Sequence, residues 1–353
     1  MAAPVVEALG VPAFGVGGVM LERARVELVA DVSELAVMGL GSVLAKAPTL
    51  LRRILGLRAE IVRRRPRVAL LVGYSELNTR LGRFLRRRGC RVLFYSAPQI
   101  WAWRPWRARS IARACDRMAV ILPFEEALWR SHGVDAHYVG HAALETPGHE
   151  ERAELRQTLG LDQTATSVAL LPGSRAAEVE RHLDLFLATA RALSGVETRL
   201  IAAPALPYPT RDWLERRSRS AGVRVVTGPA RELVAAFDAA LAVSGTVTLE
   251  CALAGTPPVI VYAAGPVTEL LAKALLSVEH IGLPNLLLAE RAYPELVGKR
   301  LDARALAREL RALLANPVAD RSADLRRVLE NGRPKLRPSA SVAELIRPWL
   351  ASR

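Results

Sequence analysis

Two short stretches of this chain carry residue types and spacings that suit anion chemistry. The first is Leu171-Pro172-Gly173-Ser174-Arg175, which follows the apolar run Ser167–Leu171. Five small or apolar residues predict a buried parallel strand. Pro172 and Gly173 stop it, and Ser174 is the expected N-cap of a helix carrying Glu178 in its first turn. A strand–turn–helix leaves free N–H groups and a positive dipole end at the turn. With Arg175 beside them, these suit a phosphate. An ordinary βα turn with a surface arginine competes with that reading. The second stretch is Ser244-Gly245-Thr246 after the apolar Ala239–Val243, with Glu250 one helical turn beyond Thr246. Glycine permits close backbone approach, the hydroxyls can donate to anionic oxygens, and a carboxylate can accept from sugar hydroxyls. A capped helix without ligand is the competing reading here.

Two such turns at strand C-terminal ends in one parallel sheet describe a nucleotide crevice. The elements that must position them follow from composition. The chain has 353 residues, enough for two domains. Strand-like and helix-like runs alternate throughout, which predicts an α/β class. The second half repeats βα units, with strands near 167–171, 198–202, 223–226, 239–243 and 258–262 and closing helices at 304–314 and 339–350. The linker is expected at 145–150, around Pro147 and Gly148. Cys90, Cys115 and Cys251 are far apart and form no CxxC pair, which points to a reducing compartment and no metal cluster. The start carries no secretory pattern, and no run reaches the ~18 apolar residues a spanning helix needs. A cytoplasmic protein is expected.

The net charge of +14 is concentrated: Lys46 to Arg117 holds 19 basic and 3 acidic residues. Such a segment attracts anionic lipid or nucleic acid. Leu35–Leu44 is apolar with two glycines. Pro48 is expected in the first turn of a helix reaching about Arg65, with Leu50, Ile54, Leu57 and Ile61 on one side and arginines elsewhere. This basic amphipathic pattern suits an anionic membrane, and a core-packed helix with a solvated arginine face is the alternative. A strand over Arg67–Val72 leads to Gly73-Tyr74-Ser75-Glu76-Leu77-Asn78. The loop Pro98–Trp106 holds three of the six tryptophans, with Trp101 and Trp103 alternating. Arginine among aromatics also suits single-stranded nucleic acid, but no nucleic-acid-binding motif accompanies it, so no nucleic-acid partner is expected. His137 and His141 lie on an expected strand, Ala136–Gly140, whose length separates them by about 13 Å, too far to share an ion. His141 is a substrate-facing candidate or a satisfied structural histidine. Asn285 in Leu283–Leu287 is a ligand candidate or a loop-stabilising side chain.

In this order, the stretches resemble the lipid-A-disaccharide synthases, a family of bacterial glycosyltransferases. The matching residues are 33–39 (Ser-Glu-Leu-Ala-Val-Met-Gly), 96–104 (Ser-Ala-Pro-Gln-Ile-Trp-Ala-Trp-Arg), 122–125 (Leu-Pro-Phe-Glu) and 139–141 (Val-Gly-His). They continue with 171–175 plus Glu178-Val179-Glu180, 244–246 plus Leu249-Glu250, and 283–287. The resemblance implies a GT-B-like α/β architecture of two Rossmann-like, doubly wound domains facing a cleft, the first lacking its first strand. Residues 1–145 would form the acceptor- and membrane-facing domain and 146–339 the UDP-sugar domain, with 340–353 returning to the first. The implied reaction joins UDP-2,3-diacylglucosamine to 2,3-diacylglucosamine 1-phosphate and releases UDP, without metal or cofactor. Substrate contacts are implied for Ser174, Arg175, Glu178, Ser244, Gly245, Thr246, Glu250 and Asn285, and for Asn78, Trp103 and Arg104. A peripheral position on the cytoplasmic face of the inner membrane is implied, and a homodimer is left open.

Two departures from the family matter. Its opening Gly-Glu-x-Ser-Gly-Asp loop has no counterpart in this sequence. Gly73 stands where the family has the Asp thought to be the catalytic base, and Glu76 aligns with a second acid. Glu76 and His141 are therefore the catalytic candidates. A non-catalytic paralogue that binds nucleotide-sugar or lipid, and a sugar-nucleotide epimerase, are the alternatives.

Overall fold

In a computed structural model of the chain, the described residues are 1–31, 40–101, 104–145, 151–263, 280–298, 301–333 and 335–351, with backbone only for 40–51 and 263. The chain forms two compact units, Met1–Glu145 with Leu329–Arg353, and Thr146–Val328.

The second unit is built on six strands: β7 (Ser167–Leu171), β8 (Glu197–Ala202), β9 (Arg224–Thr227), β10 (Ala239–Val243), β11 (Pro258–Ala263) and β12 (Glu295–Gly298). All pair in parallel, in the order β12-β11-β10-β7-β8-β9. Every residue of β7 and β10 is buried, as continuous apolar runs in a parallel sheet must be when helices cover both faces. Helices Ala176–Ala192 and Ala303–Ala315 pack one face through Leu183, Phe186, Leu306 and Leu310. Leu155, Val234, Phe237 and Cys251 cover the other. Removing a ring as fully enclosed as Phe186 costs about 3–5 kcal/mol.

The described residues of the first unit hold two sheets. β1 (Phe14–Gly17) pairs only with β2 (Glu27–Asp31) among the described residues, and β3 (Val68–Val72), β4 (Arg91–Tyr95), β5 (Arg117–Val120) and β6 (Asp135–Tyr138) follow one another in sequence order. The tail closes this unit. Val342 and Ile346, on helix Pro338–Ala351, share a core with Val5, Leu93 and Tyr95. Tyr138 Oη donates to Leu329 O, and Ser339 N and Oγ donate to Glu145 Oε1 at 2.8 and 2.5 Å. Gly140 holds φ +91°, and a Cβ there would lie 2.7 Å from Leu336 Cδ2, so glycine is what lets the tail approach.

Several expectations need correction. The long basic helix runs Leu40–Arg64, so Pro48 lies inside it rather than in its first turn. Its Leu57 and Ile61 are buried in the unit's core, as the packed-helix alternative requires, while Leu55 and Val62 stay 51% and 47% exposed. The last strand of the first unit ends at Tyr138, which leaves His141 in the following loop. Strands β2 and β12 have no counterpart in the sequence reading, being short and half-buried. Residues 35–39 of the apolar stretch lie outside the described residues.

Candidate functional site

In the second unit the chain leaves β7 toward β8 and β9, then crosses back to place β10 against the other side of β7. The turns after β7 and β10 therefore flank the point where strand order reverses, the usual position of a crevice in open parallel sheets. Arg175, not Ser174, occupies the N-cap position of helix Ala176–Ala192, with extended backbone. The cap is supplied by Glu178. Its Oε2 accepts from Ser174 N at 3.0 Å and Arg175 N at 3.2 Å, and its Oε1 accepts from Arg175 Nη1 at 2.5 Å. Gly173 has φ +129°, and a Cβ there would meet Glu178 Cβ at 2.5 Å. Ser174, Arg175 and Glu178 thus form one cluster in which a carboxylate already sits on an anion position.

Across the switch point, Ser244 N donates to Val261 O at 2.8 Å and Ser244 Oγ to Ile281 O at 2.8 Å. Gly245 leaves open space where a side chain would stand, and Thr246 opens helix Thr246–Leu253 exposed. Glu250 is half-buried on that helix, and its carboxylate has no hydrogen bond or ion pair among the described residues. Burial pushes its carboxyl above the usual range, opposed by the charge of Arg231. Asn285 is fully buried and internally satisfied. It donates to Tyr293 O (2.8 Å) and Glu295 Oε1 (2.7 Å) and accepts from Tyr293 N (2.9 Å). The loop-stabilising reading describes its geometry.

In the first unit the loops after β3 and β4 carry backbone strain. Tyr74, Ser96 and Arg104 adopt positive φ of 39°, 57° and 55°, conformations that cost side-chain-bearing residues free energy and gather at functional sites. Asn78 Nδ2 donates to Val72 O (3.1 Å) and Gly73 O (2.8 Å), clamping the end of β3. Glu76, 65% exposed, pairs with Arg107 at 2.9 Å and Arg104 at 3.5 Å. Trp103 lies outside the described residues. His141 Nδ1 accepts from Ala143 N at 3.1 Å, which fixes the neutral tautomer with its proton on Nε2. Burial holds its pKa down at about 4. In this state it presents an Nε2–H donor.

A feature missed in the sequence is Glu125, fully buried at the start of helix Pro123–Ser131. It accepts from Trp101 Nε1 (3.0 Å), Leu122 N (3.1 Å) and Ile121 N (3.3 Å), and Trp101 meets Phe124 edge-on at 5.2 Å. Burial raises its pKa to about 7 against those three bonds. In the sequence Glu125 is only the last residue of the matching stretch 122–125; the packed loop makes it a buried anchor. Among the described residues no cluster of His, Cys, Asp or Glu could hold a metal ion, and no helix is long and apolar enough to cross a membrane. His137 pairs with Asp135 instead.

A family model described as lipid-A-disaccharide synthetase (LpxB) matches residues 5–346. The lipid-A-disaccharide synthase of Syntrophus aciditrophicus is 38% identical over 332 residues, covering 93% of this chain and 86% of that protein. That of Myxococcus xanthus is 38% identical over 345 residues, covering 95% and 90%. Among solved structures, a glycotransferase of kitacinnamycin superposes with TM-score 0.57 at 15% identity, over 99% of this chain and 95% of that one. An S. aureus MnaA–UDP co-structure gives TM-score 0.60 at 12% identity, over 99% and 92%. These likenesses give the two-unit, Rossmann-like GT-B fold, and the sequence matches give the family: the chain belongs to the lipid-A-disaccharide synthases.

Proposed function

We propose that the chain is a hexosyltransferase of lipid A biosynthesis, joining UDP-2,3-diacylglucosamine to 2,3-diacylglucosamine 1-phosphate and releasing UDP. The observation that carries the reading is the pair of turns flanking the strand-order switch, with the unpartnered Glu250 beside them. A half-buried carboxylate without a donor is costly unless a ligand supplies one, and sugar hydroxyls do. Arg175 and the two helix N-termini would offset the charge growing on the departing diphosphate. For the diphosphate to reach the amides of Ser174 and Arg175, Glu178 must first release them.

The acceptor belongs to the strained loops of the first unit in this reading. Arg104 and the Nε2–H of His141 would serve as donors, and Asn78 would fix the Gly73 turn. Glu76 is the carboxylate nearest the family's base position. To take the acceptor's proton it must give up contact with Arg104 and Arg107. The acyl chains of both substrates call for a lipid surface. Leu55 and Val62, exposed beside Arg52 and Arg53 on helix Leu40–Arg64, suit the anionic inner membrane.

Disaccharide formation from the two acylated substrates tests the reaction, and UDP titration tests the site. Glu250→Gln should weaken UDP binding by roughly 10-fold or more, the loss of charge-assisted hydrogen bonds worth about 1.5–3 kcal/mol, without lowering Tm. Unchanged affinity would remove Glu250 from the nucleotide site.

A further inference from the structure

All the loops considered so far lie at the C-terminal ends of the strands. The opposite end of the first unit's sheet holds a separate basic cavity of about 460 Å³, within the size range of small-ligand sites. It is bounded by Arg91 at the start of β4, Asp116 just before β5, His132 before β6, Arg86 at the end of helix Ser75–Arg86, and Arg109 and Arg113 of the short helical segment that precedes β5. A strand of five residues is about 16 Å long, so a ligand here is remote from the Gly73, Ser96 and His141 loops.

The charges in this cavity do not balance. Asp116 is already engaged by Arg86 at 3.1 Å, Arg91 at 3.6 Å and the amide of Val92 at 2.8 Å. Arg86 is further anchored on Arg113 O at 2.9 Å. Asp135, the other acid on the wall, is taken by Arg117 and His137. Arg109 and Arg113 are exposed and have no ion-pair or hydrogen-bond partner for their side chains among the described residues. Four residues apart, they present like charges on one side of the helical segment, an arrangement that is unfavourable unless an anion lies between them. Guanidinium forks match phosphate oxygens in geometry, and the adjoining imidazole of His132 adds a donor.

We infer that this cavity is a phosphate-binding site, separate from the transferase site, in which Arg109, Arg113 and Arg91 receive a phosphate group. The group is either a free phosphate or the headgroup of an anionic phospholipid. The inference does not rest on the transferase reading, since it uses none of that site's residues.

The test measures binding to the full chain with UDP held at saturation, using inorganic pyrophosphate as one probe and phosphatidic acid vesicles against phosphatidylcholine vesicles as the other. Wild type should bind at least one phosphate probe. R109Q/R113Q should weaken that binding 10-fold or more while keeping UDP affinity and Tm. A charge-matched control, R219Q/R326Q, removes two exposed arginines of the second unit and should bind like wild type. Vesicle binding that R109Q/R113Q loses and that soluble pyrophosphate does not displace identifies a headgroup; binding that pyrophosphate abolishes identifies free phosphate. Equal losses in both double variants, unchanged binding by R109Q/R113Q, or absence of binding by wild type would each overturn the site.

Discussion

The second unit and the first build their loops in opposite ways. Around the β7/β10 switch point the turns are made of glycine and small hydroxyls, and most polar groups have partners of their own: Glu178 on two amides, Ser244 on Ile281, Asn285 on Tyr293 and Glu295. Among the described residues, the half-buried carboxylate of Glu250 has no such partner. In the site loops of the first unit Tyr74, Ser96 and Arg104 hold positive φ, and two buried titratable groups, Glu125 and His141, are held far from their ordinary pKa values. One end is held by its own hydrogen bonds, with Glu178 on the amides of the turn. The other stores unfavourable conformations and charge states that its surroundings must sustain.

Restoring an acid at the family's base position puts that contrast to the strongest test. Gly73 has φ +59° and a Cβ there meets no atom within 4 Å, so Asp fits without a clash, and Asp tolerates this backbone region better than most residues. Gly73→Asp should raise the rate of disaccharide formation, on the order of 10²-fold for a gained general base. A rate that stays the same would mean that Glu76, or a group elsewhere, already removes the proton.

The stored charge states are read by pH. Glu125, raised to about 7, binds a proton in the folded state that the unfolded chain has lost above about 4.5. Its contribution is complete below 4.5 and is lost as pH rises to 7, about 3 kcal/mol in all. His141, lowered to about 4 from 6.5, has the opposite slope: its contribution is complete above 6.5 and is lost as pH falls toward 4. The two slopes cancel between about pH 4.5 and 6.5, so first-unit stability, followed by hydrogen exchange at β4, should be nearly flat there. Glu125→Gln should make it climb with pH and His141→Asn should make it fall. Parallel tilts in the two variants would refute the assignment.

A smaller effect concerns packing alone. Gly140→Ala forces a Cβ to within 2.7 Å of Leu336 at an unfavourable φ, and should cost about 1–3 kcal/mol. Protease should then release the tail before it cuts the second unit; simultaneous loss would mean that the tail is held elsewhere.

The two units also differed in how readable they were. In the second, strands 167–171 and 239–243 are runs of small or apolar residues ended by Pro-Gly or Ser-Gly, and turn chemistry is local, so sequence located both turns. What sequence could not tell was that Glu178 would fill the amides the turn was expected to leave open, because a capping box and a phosphate site use the same donors. The long helix's Leu57 and Ile61 have the same spacing whether they face lipid or core, and only the packed sheet decides. Glu125 was illegible for a related reason: its partner Trp101 is distant in sequence, and burial of an acid is a tertiary fact.

The return of the tail bears on the order in which the protein is made. Val5, Leu93 and Tyr95 leave the ribosome long before Val342 and Ile346, with which they share a core. At about 5–20 residues per second the delay between Tyr95 and Val342 is roughly twelve to fifty seconds. During that time the second unit can close on residues already synthesised, whereas the first has an open apolar face. The half of the protein translated first is thus the last to finish folding, and nascent chains halted before residue 329 should be its most aggregation-prone form.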